Sequence, residues 1–304
     1  MNKTELLNKF SRDPDERVVL ARAMDQMERT ASRSIPCATQ FLSPAQRAAL
    51  EPLLAAAGLV VASSISFVPS QASRLTQSAA PPLPTRLAIR QSRGGPSYLF
   101  HGGYEGAERT VCVFLPDWLE GSDWQAEDEL AAIECAYPPA GGPTGTDLTH
   151  RDLLGGLMGI GLTREKVGDI LTGDAAAQIV CLREAAPIIL AQFEQAGRYR
   201  LKLREIPLSR LSPAPARVKV IHDTVSALRL DAVLAHGFSL ARGKAADAVA
   251  AGRVSVNHRE CLKPDKPVAE GDILTCRGLG KCVLKRAGGQ SRKGRIIIEI
   301  ERYL

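Results

Sequence analysis

Residues 228–277 read LRLDAVLAHGFSLARGKAADAVAAGRVSVNHRECLKPDKPVAEGDILTCR. Leu230, Val233, Leu234 and Phe238 recur at i, i+3, i+4 and i+8, which is one face of a helix. Gly237 falls near the end of that helix, where a residue free to take positive φ is useful. A second short helix starts near Arg242, turns Ala245, Ala246, Val249 and Ala250 inward, and is closed by Gly252. Val254 and Val256 then alternate with Ser255 and Asn257, the pattern of a half-buried strand that turns at Asn257-His258. Two short helices, a tight strand-turn-strand and a glycine-rich basic hairpin therefore make up this stretch.

Its chemistry follows from where the cations sit. Arg242 and Lys244 lie at the start of the second helix, where free backbone N–H groups and the positive end of the helix dipole favour a phosphate. Arg253, Arg259, Lys263 and Lys266 extend the charge along the following loop, and Arg277 and Lys281 flank the next glycine turn. Solvated surface lysines would explain any one of these. They do not explain why every nearby turn is cationic.

The stretch resembles the RNA-binding domain named after ribosomal protein S-four. The matching residues are Arg229-Leu230-Asp231, Ala241-Arg242 with Lys244-Ala245, Gly252-x-Val254-x-Val256-Asn257, and Gly271-Asp272. Where that family usually has Ser before the Arg, this chain has Ala241, which cannot cap a helix through its side chain, a loss of about 1 kcal/mol.

Working outward, the net charge of +6 over 304 residues is unevenly spread. Residues 217–304 carry 17 Lys and Arg against 9 Asp and Glu, whereas residues 1–216 carry 22 against 24. An asymmetry this sharp favours a polyanionic partner for the C-terminal part. Seven cysteines form no C-x-x-C pair, and Cys276 and Cys282 lack the partners of a zinc site, so buried free thiols in a reducing cytosol are the expectation. The N-terminus is too charged for a signal peptide, and no apolar run approaches the ~20 residues of a membrane helix. The expected location is cytoplasmic.

Residues 1–60 read as helical. Asp13-Pro14-Asp15-Glu16 and Ser43-Pro44-Ala45-Gln46 are helix starts, followed by the stripes Leu20, Ala23, Met24, Met27 and Leu50, Leu53, Leu54, Ala57, with Gly58 as a stop. Short strands are expected at 59–62, 65–68, 85–89 and 110–115, with a loop over 79–84. The run from Tyr98 to Arg109 reads first as a glycine turn with ordinary aromatics. The sharper reading makes its aromatics and Arg109 an RNA-touching loop.

Residues 131–206 give strand candidates at 133–137, 167–171, 177–182 and 199–206, with helices from Thr149 and over 184–196. That order, βαββαβ, is the ferredoxin-like arrangement shared by many RNA-binding modules. The base-stacking aromatics of the common RNA-recognition motif are missing from these strands. His150-Arg151-Asp152 matches the opening of a kinase catalytic loop, but Leu157 stands where a metal-binding Asn is needed. Gly155, Gly156, Gly159 and Gly161 do not fit a dinucleotide fingerprint, because Arg164 occupies the third glycine position. Close helix packing is their plain explanation, and an exposed small-residue face laid on RNA the sharper one. The expected architecture is α+β: an N-terminal helical and β domain over 1–120, a ferredoxin-like βαββαβ domain over 121–207, a proline-rich linker over 208–216, and an S-four-type domain over 217–304.

Three blocks together resemble the YlmH-type RNA-binding proteins of bacteria. They are Gly102-Gly103-Tyr104 with Ala107-Glu108-Arg109; Leu148 to Gly155 with Arg164 to Ile170; and Thr224-Val225-Ser226 with Leu228 onward to Leu304. The resemblance implies association with the ribosome in quality control of stalled translation, with large-subunit rRNA and tRNA or peptidyl-tRNA as partners. It implies no chemistry of its own, no cofactor and no metal. A monomer is expected. The residues expected to bind RNA are Arg229, Arg242, Lys244, Arg253, Asn257, Arg259, Lys263, Lys266, Arg277 and Lys281. Asn257 is expected to shape its turn as well, and Asp231 to orient Arg229 or cap locally. The alternative is an RNA-modifying enzyme or accessory factor delivered by its S-four domain. It requires a catalytic constellation in residues 1–216, where Asp152 and Asp169 are the best acidic candidates.

Overall fold

A computed structural model of the chain describes residues 3–11, 13–62, 97–137, 148–173, 176–214 and 217–304. The strands expected at 65–68 and 85–89 and the loop at 79–84 lie outside these residues. The chain divides into two units, Met1–Ala214 and Pro215–Leu304.

In the first unit, α1 (Lys3–Phe10), α2 (Pro14–Arg33) and α3 (Pro44–Ala56) start where their caps predict. Asp13 accepts from the Asp15 amide, and Ser43 and Gln46 form a reciprocal capping box. Between them runs β1 (Cys37–Ala38). β2 (Val60–Val61), β3 (Ser97–His101) and β4 (Val111–Leu115) complete a sheet of order β1-β4-β3-β2. Thus Tyr98 to His101, read from sequence as part of a glycine turn, belongs to a strand.

The next elements are β5 (Leu130–Ala136), α4 (His150–Gly159), β6 (Val167–Thr172), β7 (Ala176–Leu182) and α5 (Ala186–Gln192). β8 (Gln195–Ala196), β9 (Tyr199–Arg200) and β10 (Lys202–Ile206) follow. The sheet order β10-β5-β7-β6, antiparallel throughout, is the ferredoxin-like topology. The helix expected over 184–196 is shorter. Phe193 ends α5 and turns into the core, and a hairpin then reverses at Gly197, whose φ is +54°.

Side-chain alternation explains how these layers stack. Ala131, Ile133, Cys135, Ala177, Ile179 and Cys181 point towards α4 and α5. Their neighbours Leu130, Ala132, Val180 and Leu182 point the other way, onto Val111, Val113 and Leu115 of β4. Cys112 and Phe114 in turn face α1–α3. The unit is therefore four layers deep: helices, sheet, sheet, helices.

The segment from Pro207 begins packed rather than extended. Leu208 is buried, Leu211 packs on the intersheet core, and the Gln178 amide bonds both the Arg210 carbonyl and the Ser212 N–H.

The second unit is a six-stranded antiparallel sheet backed by two helices. Its elements are β11 (Val218–Val225), α6 (Leu230–Gly237), α7 (Arg242–Ala250), β12 (Val254–Val256), β13 (Arg259–Glu260), β14 (Ile273–Cys276), β15 (Gly280–Gln290) and β16 (Ile296–Tyr303). The strand order is β11-β16-β15-β14-β12-β13. Leu230, Val233, Leu234 and Phe238 are buried as their spacing predicts. In α7 the buried set is Ala245, Ala248 and Val249 rather than Ala246 and Ala250, so the helix is rotated from the expected face. Gly237 differs too. It has no positive φ, a role that passes to Ser239 at +55°. A Cβ there would lie 2.8 Å from the Cys282 sulfur, so glycine is present for close packing.

Candidate nucleic-acid interface

The S-four-like helices set the site. The Asp231 carboxylate, on the first turn of α6, is almost fully buried. It accepts from Arg229 Nε at 3.1 Å and Nη2 at 3.3 Å, from Arg242 Nε at 3.0 Å, and from the Ala232 amide at 2.9 Å. Burial opposes ionisation there. The hydrogen bonds from Arg229 and Arg242 outweigh it and hold the carboxyl below the usual aspartate range. One acid thus fixes two guanidiniums that remain about half exposed. The loop carrying exposed Lys263 and Lys266 is tied to the same turn: Leu230 N–H donates to the Lys266 carbonyl and Asp231 N–H to Pro264.

A second cluster lies past the first turn of α7. Lys244, Arg253 and Arg277 line an open groove of about 390 Å³, with Asp247 beside them and Leu240 and Leu279 as apolar wall. The Arg277 amide donates to the Arg253 carbonyl at 2.8 Å, which fixes the two backbones side by side. Ala241, the residue before α7, makes no side-chain cap bond, so the N–H groups of that turn stay available. Three cations around one concavity have the charge to attract phosphate oxygens, and Asp247 offsets part of it.

Three predicted residues sit elsewhere. Asn257 is engaged in the protein: its Nδ2 donates to Asp272 at 2.7 Å and its Oδ1 accepts from the Ile273 amide at 2.9 Å. With φ of +50° and +65° at Asn257 and His258, it shapes the β12–β13 turn. Arg259 is exposed on the edge strand β13. Lys281 neighbours buried Cys282 on β15, so it points to the sheet face away from the helices, where its ammonium lies 4.6 Å from the Tyr303 ring.

In the first unit the loop after β3 is a structural joint. The Asp169 carboxylate accepts from the Tyr104 hydroxyl at 2.8 Å and from the Glu108 and Arg109 amides at 2.7 and 3.1 Å. Arg109 donates to the carbonyls of Val167, Phe41 and Arg164. Burial, then neighbouring Arg164, pulls its guanidinium down to about 10, still charged at neutral pH. Arg109 is therefore spent inside the fold, and the bland reading of the loop prevails over RNA contact. Asp169 thus pins that loop to β6. Asp152 caps α4 by accepting from the Thr149 amide at 3.0 Å. Both acidic candidates for chemistry thus have structural work. Among the described residues no cluster of three or more His, Cys, Asp or Glu could hold a metal ion. All seven cysteines are free and buried.

The glycines of α4 divide. A Cβ on Gly156 would lie 2.7 Å from the Phe193 ring, which is close packing, whereas Gly155 and Gly159 face open space.

Residues 126–210 match the family described as "Putative RNA-binding domain in YlmH", and residues 228–274 match the "S4 domain". Over 205 residues the chain is 38% identical to the "Ribosome-associated protein quality control protein P2" of Bacillus subtilis, covering 67% of this chain and 77% of that one. The chain belongs to the YlmH family. A solved structure, "Cell division protein ylmH from Streptococcus pneumoniae", is similar to this YlmH-family chain with 20% identity and a TM-score of 0.42, covering 66% of this chain and 95% of that one. The two domain matches place an RNA-binding-domain family and a C-terminal S-four domain on this α+β chain. Among the described residues no helix is long and apolar enough to cross a membrane.

Proposed function

We propose that this chain is a non-catalytic, cytoplasmic binder of structured RNA, and that its target is the large ribosomal subunit, through rRNA and tRNA or peptidyl-tRNA, in quality control of stalled translation. The observation that carries this reading is the convergence of Lys244, Arg253 and Arg277 on one groove, next to an Arg229–Asp231–Arg242 clamp. Lys263 and Lys266 extend the contact from the loop tied to that clamp. Arg259 and Lys281 reach other parts of the RNA, and Asn257 acts through the turn. The printed name of the Bacillus subtilis relative supports the ribosomal setting. The chain acts as a monomer, with residues 1–120, 121–207 and 217–304 as its domains and 208–216 as the linker.

The test is co-sedimentation with purified large subunits. Lys244→Ala with Arg253→Ala and Arg277→Ala is the informative variant. None of the three holds a buried acid, whereas removing Arg242 would strip a partner from Asp231. Binding should weaken and its salt dependence flatten by roughly 0.7 to 0.9 in log–log slope per lost phosphate contact. Unchanged co-sedimentation of a folded variant would overturn the reading.

A further inference from the structure

We propose that the first unit takes up an extended peptide segment of a partner protein, one whose basic and acidic side chains alternate, as an added strand on the free edge of β1. This goes beyond RNA binding. An RNA strand carries one sign of charge, and the cleft along this edge carries both.

Among the described residues β1 is the outermost strand of its sheet. Cys37 pairs with Phe114 and Ala38 with Val113, and the Thr39 N–H donates to the Cys112 carbonyl at 2.9 Å. Bonded residues alternate in an antiparallel ladder, so Cys37 and Thr39 turn their amides to β4, and Ala38 and Gln40 turn theirs outward. Among the described residues no backbone carbonyl outside the ladder accepts from the Ala38 or Gln40 N–H. Both residues line a cleft of about 750 Å³. The free edge ends at Phe41, whose N–H donates to the Glu165 carbonyl at 2.8 Å.

The two walls of the cleft differ in sign. A strand added to β1 continues the plane of its sheet, so its side chains point alternately to the helical layer and to the ferredoxin-like layer. On the helical side, α2 presents Val19, Arg22, Gln26 and Arg29, a stripe on one helix face about 15 Å long. That is the span of four or five strand residues at about 3.3 Å each. Arg22 and Arg29 are exposed, and Asp25 is taken by Lys3. On the other side stand Asp128, Glu129 and Glu165. Their neighbours are already paired, Glu184 with Lys166 at 3.0 Å and Arg183 with Glu205. Burial, and then Asp128 and Glu184, push the Glu129 carboxyl above the usual glutamate range, while its own backbone amide holds Glu165 below it. A phosphate backbone would meet these three acids, and a wholly basic segment would meet Arg22 and Arg29. Lys or Arg towards one wall and Asp or Glu towards the other satisfies both, and the peptide backbone takes up the outward groups of Ala38 and Gln40.

The experiment uses the full chain and three fluorescein-labelled hexapeptides: Lys-Glu-Lys-Glu-Lys-Glu, its block isomer Lys-Lys-Lys-Glu-Glu-Glu, and hexalysine. Fluorescence anisotropy reads binding. The alternating peptide should bind at least about tenfold more tightly than either of the others. Once bound, it should slow hydrogen exchange at the Ala38 and Gln40 amides. The same peptide N-methylated at its backbone amides keeps every charge but has no N–H to donate, and should bind about tenfold more weakly. Arg22→Glu with Arg29→Glu should weaken the alternating peptide and favour hexalysine. Trp118 and Trp124 lie in the same unit and report whether this variant stays folded. If it does not, Glu129→Gln takes its place, with weaker binding of the alternating peptide expected. Equal binding of the block isomer overturns the proposal, as does unchanged exchange at the two amides under saturating peptide. So does the absence of binding up to about 1 mM peptide. Displacement of the peptide by a single-stranded uridine hexanucleotide would also overturn it, with RNA as the occupant.

Discussion

Gly237→Ala should destabilise the second unit, and Cys282→Ala should reverse the sign of that effect. A Cβ at Gly237 would stand 2.8 Å from the Cys282 sulfur, whereas carbon contacts settle near 3.5–4.0 Å. Cys282 is fully buried on β15, so neither partner can retreat into solvent. Overpacking of this kind costs about 1–3 kcal/mol. Alanine recovers up to about 0.5–1 kcal/mol of that because it loses less backbone entropy than glycine in a helix, and the backbone here is not at positive φ. The expected net loss is about 1–2 kcal/mol. With the sulfur gone, the remaining neighbours, Cys282 Cβ and Ile300 Cγ2, lie at 3.6 Å, ordinary contact distance. In the Cys282→Ala background the same substitution should then be neutral or stabilising by up to about 1 kcal/mol. Both tryptophans lie in the first unit, so fluorescence would report the wrong half of the chain. Hydrogen exchange at the α6 amides in the full chain reads the right one. The reasoning fails if Gly237→Ala costs the same in both backgrounds. It matters for function because α6 carries Asp231, and any shift of that helix moves the two guanidiniums it holds.

Arg109→Ala should destabilise the first unit by about 1–3 kcal/mol, since the Phe41 carbonyl loses this donor while the Val167 and Arg164 carbonyls keep the Arg164 guanidinium and the Val167 amide. Arg109→Lys should rescue little, because an ammonium cannot span the fork. Denaturant unfolding followed by tryptophan fluorescence measures both. The depressed Asp231 value has a definite sign: its contribution is complete above the ordinary 3.8 and is lost as the pH falls through the lower folded value. Asp231→Asn should therefore flatten the acid limb of second-unit stability below about pH 4, as read by hydrogen exchange at α6. Burial pushes the Cys135, Cys181 and Cys282 thiols up to about 12. Ellman's reagent at pH 8 should leave these three untouched in the native chain, while guanidinium should release all seven.

Much of this architecture was legible because local signals agreed with it. The caps at Asp13 and Ser43 and the box formed by Thr149 with Asp152 mark real helix starts. The apolar spacing of Leu230 to Phe238 marks a real buried face. What was not legible depended on partners distant in sequence. Nothing local tells that Asp169 will hold the amides of Glu108 and Arg109 some sixty residues away. Nor does sequence spacing reveal that Lys281 and Lys244 emerge on different faces, because that depends on strand register. One signal was present and passed over. Val111-Cys112-Val113-Phe114-Leu115 and Leu130-Ala131-Ala132-Ile133 are apolar at every position, the mark of strands covered on both faces.

That double cover has a consequence for how a target would be told apart from other RNA. A platform open on one side could lay out nucleobases and read their edges; here much of that platform is already occupied by Val111, Val113 and Leu115. Under the proposed function, recognition would be left to charges on rims and grooves, which sense where a backbone runs and not which letters it carries. Changing the bases of a target while keeping its shape should therefore matter less to this chain than lengthening a stem.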